Sequence, residues 1–165
     1  MKMVQKLAAA AVLMCAATTA NAQQKTEVGD WTIYSNDDNC RALTAFSSGT
    51  MVSVALYAKN SRTTIMILDD KVFASAESTK PFDAKLAFVK GESLVTDWLG
   101  LQVIGVQLES GTKGAYIGSD GDGLLKSFGS SDVAGLLRGE EALVSFKLAD
   151  GPAVESALRK CIAGK

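Results

Sequence analysis

Two pairs of adjacent carboxylates, Asp37-Asp38 and Asp69-Asp70, and the acidic loop Asp120-Gly121-Asp122-Gly123 are the side chains best suited to chemistry in this sequence. Paired carboxylates are what glycoside hydrolysis needs, one as acid and one as base or nucleophile. Nothing in the spacing ties one pair to the other, and adjacent acids between apolar runs are commonly turn formers, because their side chains bond nearby backbone. Asp120 and Asp122 offer the hard oxygens a calcium ion prefers. A full calcium loop also needs a glutamate at its twelfth position, and counting from Asp120 that position is Ser131. A glycine-aspartate hairpin turn is the favoured reading, with Asp120 and Asp122 as a weak calcium candidate. Gly118-Ser119-Asp120-Gly121 has no lysine where a phosphate-binding loop would place one.

The chain contains no histidine. That removes Ser-His-Asp and Cys-His nucleophilic sites, which use imidazole as the base, and histidine-ligated zinc, copper and haem. Carboxylate, lysine, tyrosine, serine and threonine chemistry is left. No catalytic set is assigned and no cofactor is expected. Tyr57 and Tyr116 are the tyrosines that could serve a site in the mouth of a barrel. Trp31 belongs to a core strand. Trp98 lies in an irregular segment near Phe88, Leu94 and Leu99, and is either a packing residue or a partner contact, a role tryptophan often fills.

The three cysteines divide by position. Lys2 and Lys6 precede an apolar run from Leu7 to Ala17, and Ala20-Asn21-Ala22 supplies small residues at a signal-peptidase site. Residues 1–22 are therefore expected to be a cleaved signal, and residues 23–165 a single β-rich domain. The apolar run is shorter than the roughly 20 residues that span a bilayer, so no transmembrane anchor is expected after cleavage. Cys15 follows Met14 rather than a small residue, which disfavours a lipoprotein. The address is periplasmic or secreted, an oxidising compartment. Cys40 and Cys161 then form an even pair, expected to be a disulfide. Closing a loop of more than a hundred residues is worth about 4–5 kcal/mol on the chain-entropy model.

The net charge of −1 becomes more negative once Lys2 and Lys6 leave. The basic residues are scattered, without a cluster interleaved with aromatics, so nucleic acid is not an expected partner.

The elements that would position these residues read mostly as short strands. Trp31–Tyr34, Cys40–Phe46, Met51–Ala58 and Thr63–Leu68 follow one another with polar turns between them, the pattern of a meander. Val72–Ser75 is a candidate short strand, and Phe82–Val89 alternates as one strand. Leu94–Trp98 is a helical turn or a loop. Leu101–Leu108 is a strand, and Ala115–Ile117 is another within a glycine-rich stretch. Ser131-Asp132 before Val133, Leu136 and Leu137, with Gly139 after them, predicts a capped short helix near 131–138. Ala142–Leu148 alternates with Ala142, Val144, Phe146 and Leu148 inward. Asp150 caps a C-terminal helix near 151–162, with Pro152 in its first turn, where proline is tolerated. Val154, Ala157, Leu158, Cys161 and Ile162 share one helical face. The expected fold is mainly β, an antiparallel β-sandwich or open barrel carrying these two helices.

At Gly29-Asp30-Trp31-Thr32-Ile33 the chain resembles the invasion-associated locus B family, small exported proteins of proteobacteria with such a strand near the mature start. Ala142–Leu148 followed by Gly151–Ile162 is similar to that family's ending. The resemblance implies an envelope β-sandwich with an interaction role and no catalytic motif. The expected function is a non-enzymatic module that binds another envelope macromolecule, such as a hydrolase it inhibits. The alternative is a small-ligand binder or a carboxylate, lysine or tyrosine enzyme with its site in the barrel mouth. A deep pocket with convergent polar groups and perturbed acids would favour the alternative. A filled core with an exposed apolar patch would favour the interaction module.

Overall fold

The computed structural model describes residues 24–98 and 102–165. The expected signal, Cys15 within it, and Leu99 lie outside the described residues. Twelve strands and two helices follow in the order β1 (Lys25–Val28), β2 (Trp31–Ser35), β3 (Asn39–Ala45), β4 (Met51–Tyr57), β5 (Thr63–Leu68), β6 (Pro81–Phe82), β7 (Lys85–Lys90), β8 (Ser93–Trp98), β9 (Val103–Gln107), β10 (Lys113–Ser119), α1 (Gly123–Gly129), β11 (Val133–Arg138), β12 (Glu141–Lys147) and α2 (Gly151–Ala163). They build two antiparallel sheets. The larger runs β1-β2-β3-β4-β5-β10-β9-β6, and the smaller β12-β11-β7-β8.

The meander expected from the first half of the chain is the body of the larger sheet. Alternation decides which face goes inward, because successive side chains in a strand point to opposite sides. Trp31, Ile33, Val52, Val54, Ile65, Ile67, Ala115 and Ile117 are buried on one face. They meet Leu86, Phe88, Ala134, Leu136 and Phe146 of the smaller sheet in one core. Leu124, Leu125 and Phe128 of α1 and Val154 and Leu158 of α2 complete it. Trp31 meets Phe128 edge-on at 5.4 Å between ring centroids, and Phe46 meets Phe146 across the sheets at 5.8 Å.

Several local expectations are corrected. Residues 133–138 are not a helix but β11, an interior strand paired with β7 and β12. Val133, Leu136 and Leu137 fit a helical stripe, but Ala134 and Leu136 are the residues buried at strand spacing. Asp132 does not cap a helix; its carboxylate accepts the Gly91 N–H at 2.9 Å. Gly139, with φ +61°, closes the two-residue hairpin into β12 rather than stopping a helix. The short helix is α1, eight to nine residues earlier, and buries Leu124, Leu125 and Phe128.

Val72–Ser75 is a turn, tied down by the Phe73 N–H on the Asp69 carbonyl at 2.9 Å. Phe82–Val89 is split: Phe82 ends β6 in the larger sheet and Lys85 opens β7 in the smaller. Leu94–Trp98 is strand β8. In β12 the register shifts opposite Leu136 and Leu137, which leaves Leu143 as the extra residue. Ala142 is therefore exposed, while Phe146 and Leu148 are buried as expected. α2 forms where expected, with Pro152 in its first turn, but Asp150 makes no side-chain cap.

Candidate functional site

The Cys40 and Cys161 sulfurs stand at bonding distance, with Cα atoms 6.1 Å apart. Cys40 alternates inward with Ala42 on β3, and Cys161 falls on the stripe of α2 that holds Val154 and Leu158. The amphipathic helix thus lies along the inner face of the larger sheet and is fastened to its third strand. A second fastening joins the helices. The Arg159 guanidinium donates to Glu155 at 2.7 Å and to Asp122 at 2.9 Å. Glu155 raises the Arg159 pKa, and burial opposes that less strongly than its partners favour it.

Asp122, half of the calcium candidate, is spoken for. One carboxylate oxygen meets Arg159 and the other lies 3.2 Å from Lys126. Hydrogen bonds from Arg159 and then Lys126 hold its pKa below the usual carboxylate range. Asp120 is exposed two residues earlier. Among the described residues, no group of three or more carboxylate or cysteine side chains is placed to hold a metal ion.

The paired acids stay apart. Asp38 precedes Asn39, which lies opposite Tyr57 at the end of β4. Asp69 follows Leu68, which lies opposite Met51 at the start of β4. The length of β4 separates them, about 20 Å at the rise of a strand. Each pair shapes its own turn. Asp38 accepts from the Asn39 amide at 2.6 Å. Asp69 accepts the Thr50 hydroxyl at 2.7 Å and the N–H groups of Lys71 and Val72 at 3.0 and 3.1 Å. Burial pushes the Asp69 pKa upward, but these hydrogen bonds together outweigh it and leave the carboxyl lowered. Asp70 accepts the Lys113 N–H at 2.7 Å.

Tyr57 and Tyr116 do not look into the core. Tyr57 alternates with Val54 and Leu56, and Tyr116 lies between buried Ala115 and Ile117, so both project from the outer face of the larger sheet. An open groove of about 440 Å³ beside Cys161 is lined by Thr26, Ile33, Ser35 and Lys160 among others, and among the described residues no acidic or tyrosine side chain lines it. A smaller hollow of about 170 Å³ holds Glu77, which is paired with Lys80.

The apolar surface lies elsewhere. Leu94 is 59% and Val95 41% exposed, on β8. β8 pairs with β7 and is the edge of the smaller sheet. Its register shifts opposite Phe88 and Val89, so Val95 is an extra residue and Leu94 lies opposite Val89. Trp98, at the end of the same strand, is half-buried against the core and donates its indole N–H to the Ser127 hydroxyl of α1 at 3.2 Å. Trp98 is thus the packing residue that fixes the end of β8 on α1, and its neighbours Leu94 and Val95 are the exposed members. A strand edge left unpaired among the described residues, with flanking apolar side chains, is suited to receive another strand. The sequence signal that could have found this edge was the alternation of Leu94, Thr96 and Trp98, obscured by the extra residue.

The chain matches no family model, no curated protein and no solved structure.

Proposed function

We propose that this protein is an exported, non-enzymatic interaction module of the envelope, of the kind the invasion-associated locus B resemblance implies, and that β8 is its contact with another protein. The observation that carries the reading is the edge strand β8, which bears the exposed Leu94 and Val95 beside a core filled from both sheets. An extended segment of the partner adds to β8, taking main-chain hydrogen bonds for affinity and contacts with Leu94 and Val95 for specificity. The groove and hollow lack the convergent acids an enzyme of this composition would need, which weighs against the barrel-mouth alternative. The cysteine pair at bonding distance supports an oxidising compartment, and no helix among the described residues is long and apolar enough to cross a membrane.

The test is crosslinking and co-purification from the native envelope with the wild-type chain and with a Leu94→Lys, Val95→Lys variant. A specific partner retained by the wild type and lost from the variant is the expected result. Equal recovery by both would remove β8 from the reading, and recovery of no partner would count against the interaction role itself.

A further inference from the structure

The outer face of the larger sheet carries two arginines that the fold does not use. Across β3, β4, β5 and β10 the register aligns Arg41, Ala55, Thr64 and Gly118 in one row. Tyr34 lies beside Arg41 at one end. At the other end the guanidinium of Arg62 lies over Gly118, where a Cβ would fall 2.7 Å from one of its terminal nitrogens. Both Arg41 Nε and Arg62 Nε are buried without a hydrogen-bond partner. Among the described residues, neither guanidinium forms an ion pair. Strands β2, β3, β4, β5 and β10 contain no aspartate or glutamate. Glu27 on β1 is held by Lys25. A chain of net negative charge thus keeps two unpaired guanidinium groups on this face, where, among the described residues, the one carboxylate on the strands of the sheet is Glu27, already held by Lys25 and Thr32.

We infer that this face binds an acidic polysaccharide, its carboxylates on Arg41 and Arg62 and its chain crossing over the side chains that cover the buried Ala55 and Thr64 between them. The row is three strand spacings wide, about 14 Å, too far for one small anion to join its ends and suited to a chain with repeated carboxylates. Guanidinium matches carboxylate through two parallel hydrogen bonds. Tyr34 and Tyr57 lie on the same face, opposite Arg41 and Asn39 of β3. A protein ligand fits this face less well. The strands here are paired on both sides, so none can be extended by a peptide. The exposed large apolar residues, Leu94, Val95 and Leu108, lie off these strands, whereas protein interfaces need apolar anchors at their centre.

The test is calorimetric titration of the purified protein with a ten-ring oligogalacturonate. A neutral maltooligosaccharide of the same length and a polyglutamate of similar charge are run beside it. Saturable binding of the oligogalacturonate alone is expected. Arg41→Ala and Arg62→Ala should each weaken it about tenfold or more, as loss of a charge-assisted hydrogen bond does. Gly118→Ala should weaken it by displacing the Arg62 guanidinium while leaving the melting temperature close to wild type. No saturable binding, or unchanged affinity in a folded Arg41→Ala, Arg62→Ala double variant, would overturn the inference. Polyglutamate bound as tightly as the oligogalacturonate would overturn the polysaccharide assignment.

Discussion

Gly29, Asp69 and the two paired cysteines show how single residues set the local structure. Gly29 has φ +55° in the two-residue hairpin between β1 and β2, and a Cβ there would meet Asp150 Oδ2 at 2.0 Å. Glycine is required twice over, for its backbone conformation and for the close approach of the loop before α2. Gly29→Ala should therefore lower stability by about 1–3 kcal/mol, and Asp150→Ala should recover only the steric part; chemical denaturation of the two single variants and the double variant checks this. The carboxyl of Asp69 is lowered in the folded state. A group with a depressed folded pKa stabilises the fold above its unfolded pKa, about 3.9, and that contribution is lost as pH falls through the folded value. Asp69→Asn should melt below wild type at neutral pH, and the two should converge at strongly acidic pH, in melting curves taken across that range. The cysteine pair was legible from the sequence because only two cysteines follow the expected signal and both sit on inward-facing positions. The work of Asp69 was not, since its partners Thr50 and Val72 come from different turns.

At the scale of elements, β2 to β5 and α2 were legible, whereas β1, whose Lys25–Glu27 are exposed, carries no apolar run and was not expected. β2 to β5 are short apolar or β-branched runs between polar turns, and the stripe from Val154 to Ile162 holds through α2. Residues 123–138 were not, because Val133, Leu136 and Leu137 satisfy the helical period as well as the strand period, and pairing with both β7 and β12 decides between them. The glycines around α1 concealed a real helix whose stability comes from packing. Seven residues are too few to stand alone in water, and the helix is held by Leu124, Leu125 and Phe128 in the core and by the Asp122–Arg159 pair. That pair is partly exposed, so Arg159→Ala should cost little, about 1 kcal/mol or less, whereas Phe128→Ala should cost about 3–5 kcal/mol. Near-equal losses in urea denaturation would contradict this division of labour.

For the whole molecule, the bond between Cys40 and Cys161 joins the third strand to the last helix and so closes most of the chain into one loop. Reduction, or a Cys40→Ala, Cys161→Ala variant, should lower stability by about 2–5 kcal/mol, read as a fall in melting temperature; an intact mass showing two thiols that alkylate without reductant would contradict the pairing. The same architecture leaves β8 outside the staple, on the far edge of the smaller sheet, where Leu94 and Val95 face solvent. A mainly β fold with a terminal helix could be read from spacing alone. Which edge would be left open could not, because strand order depends on β7 pairing with β11 across more than forty residues of chain. The most direct test of the interaction role is site-specific photo-crosslinking in the native envelope, with the photoreactive group at position 94 and, as control, at exposed position 47. One discrete crosslinked species from position 94 and none from position 47 is the expected result; identical patterns from the two positions, or no product from either, would overturn the interaction role.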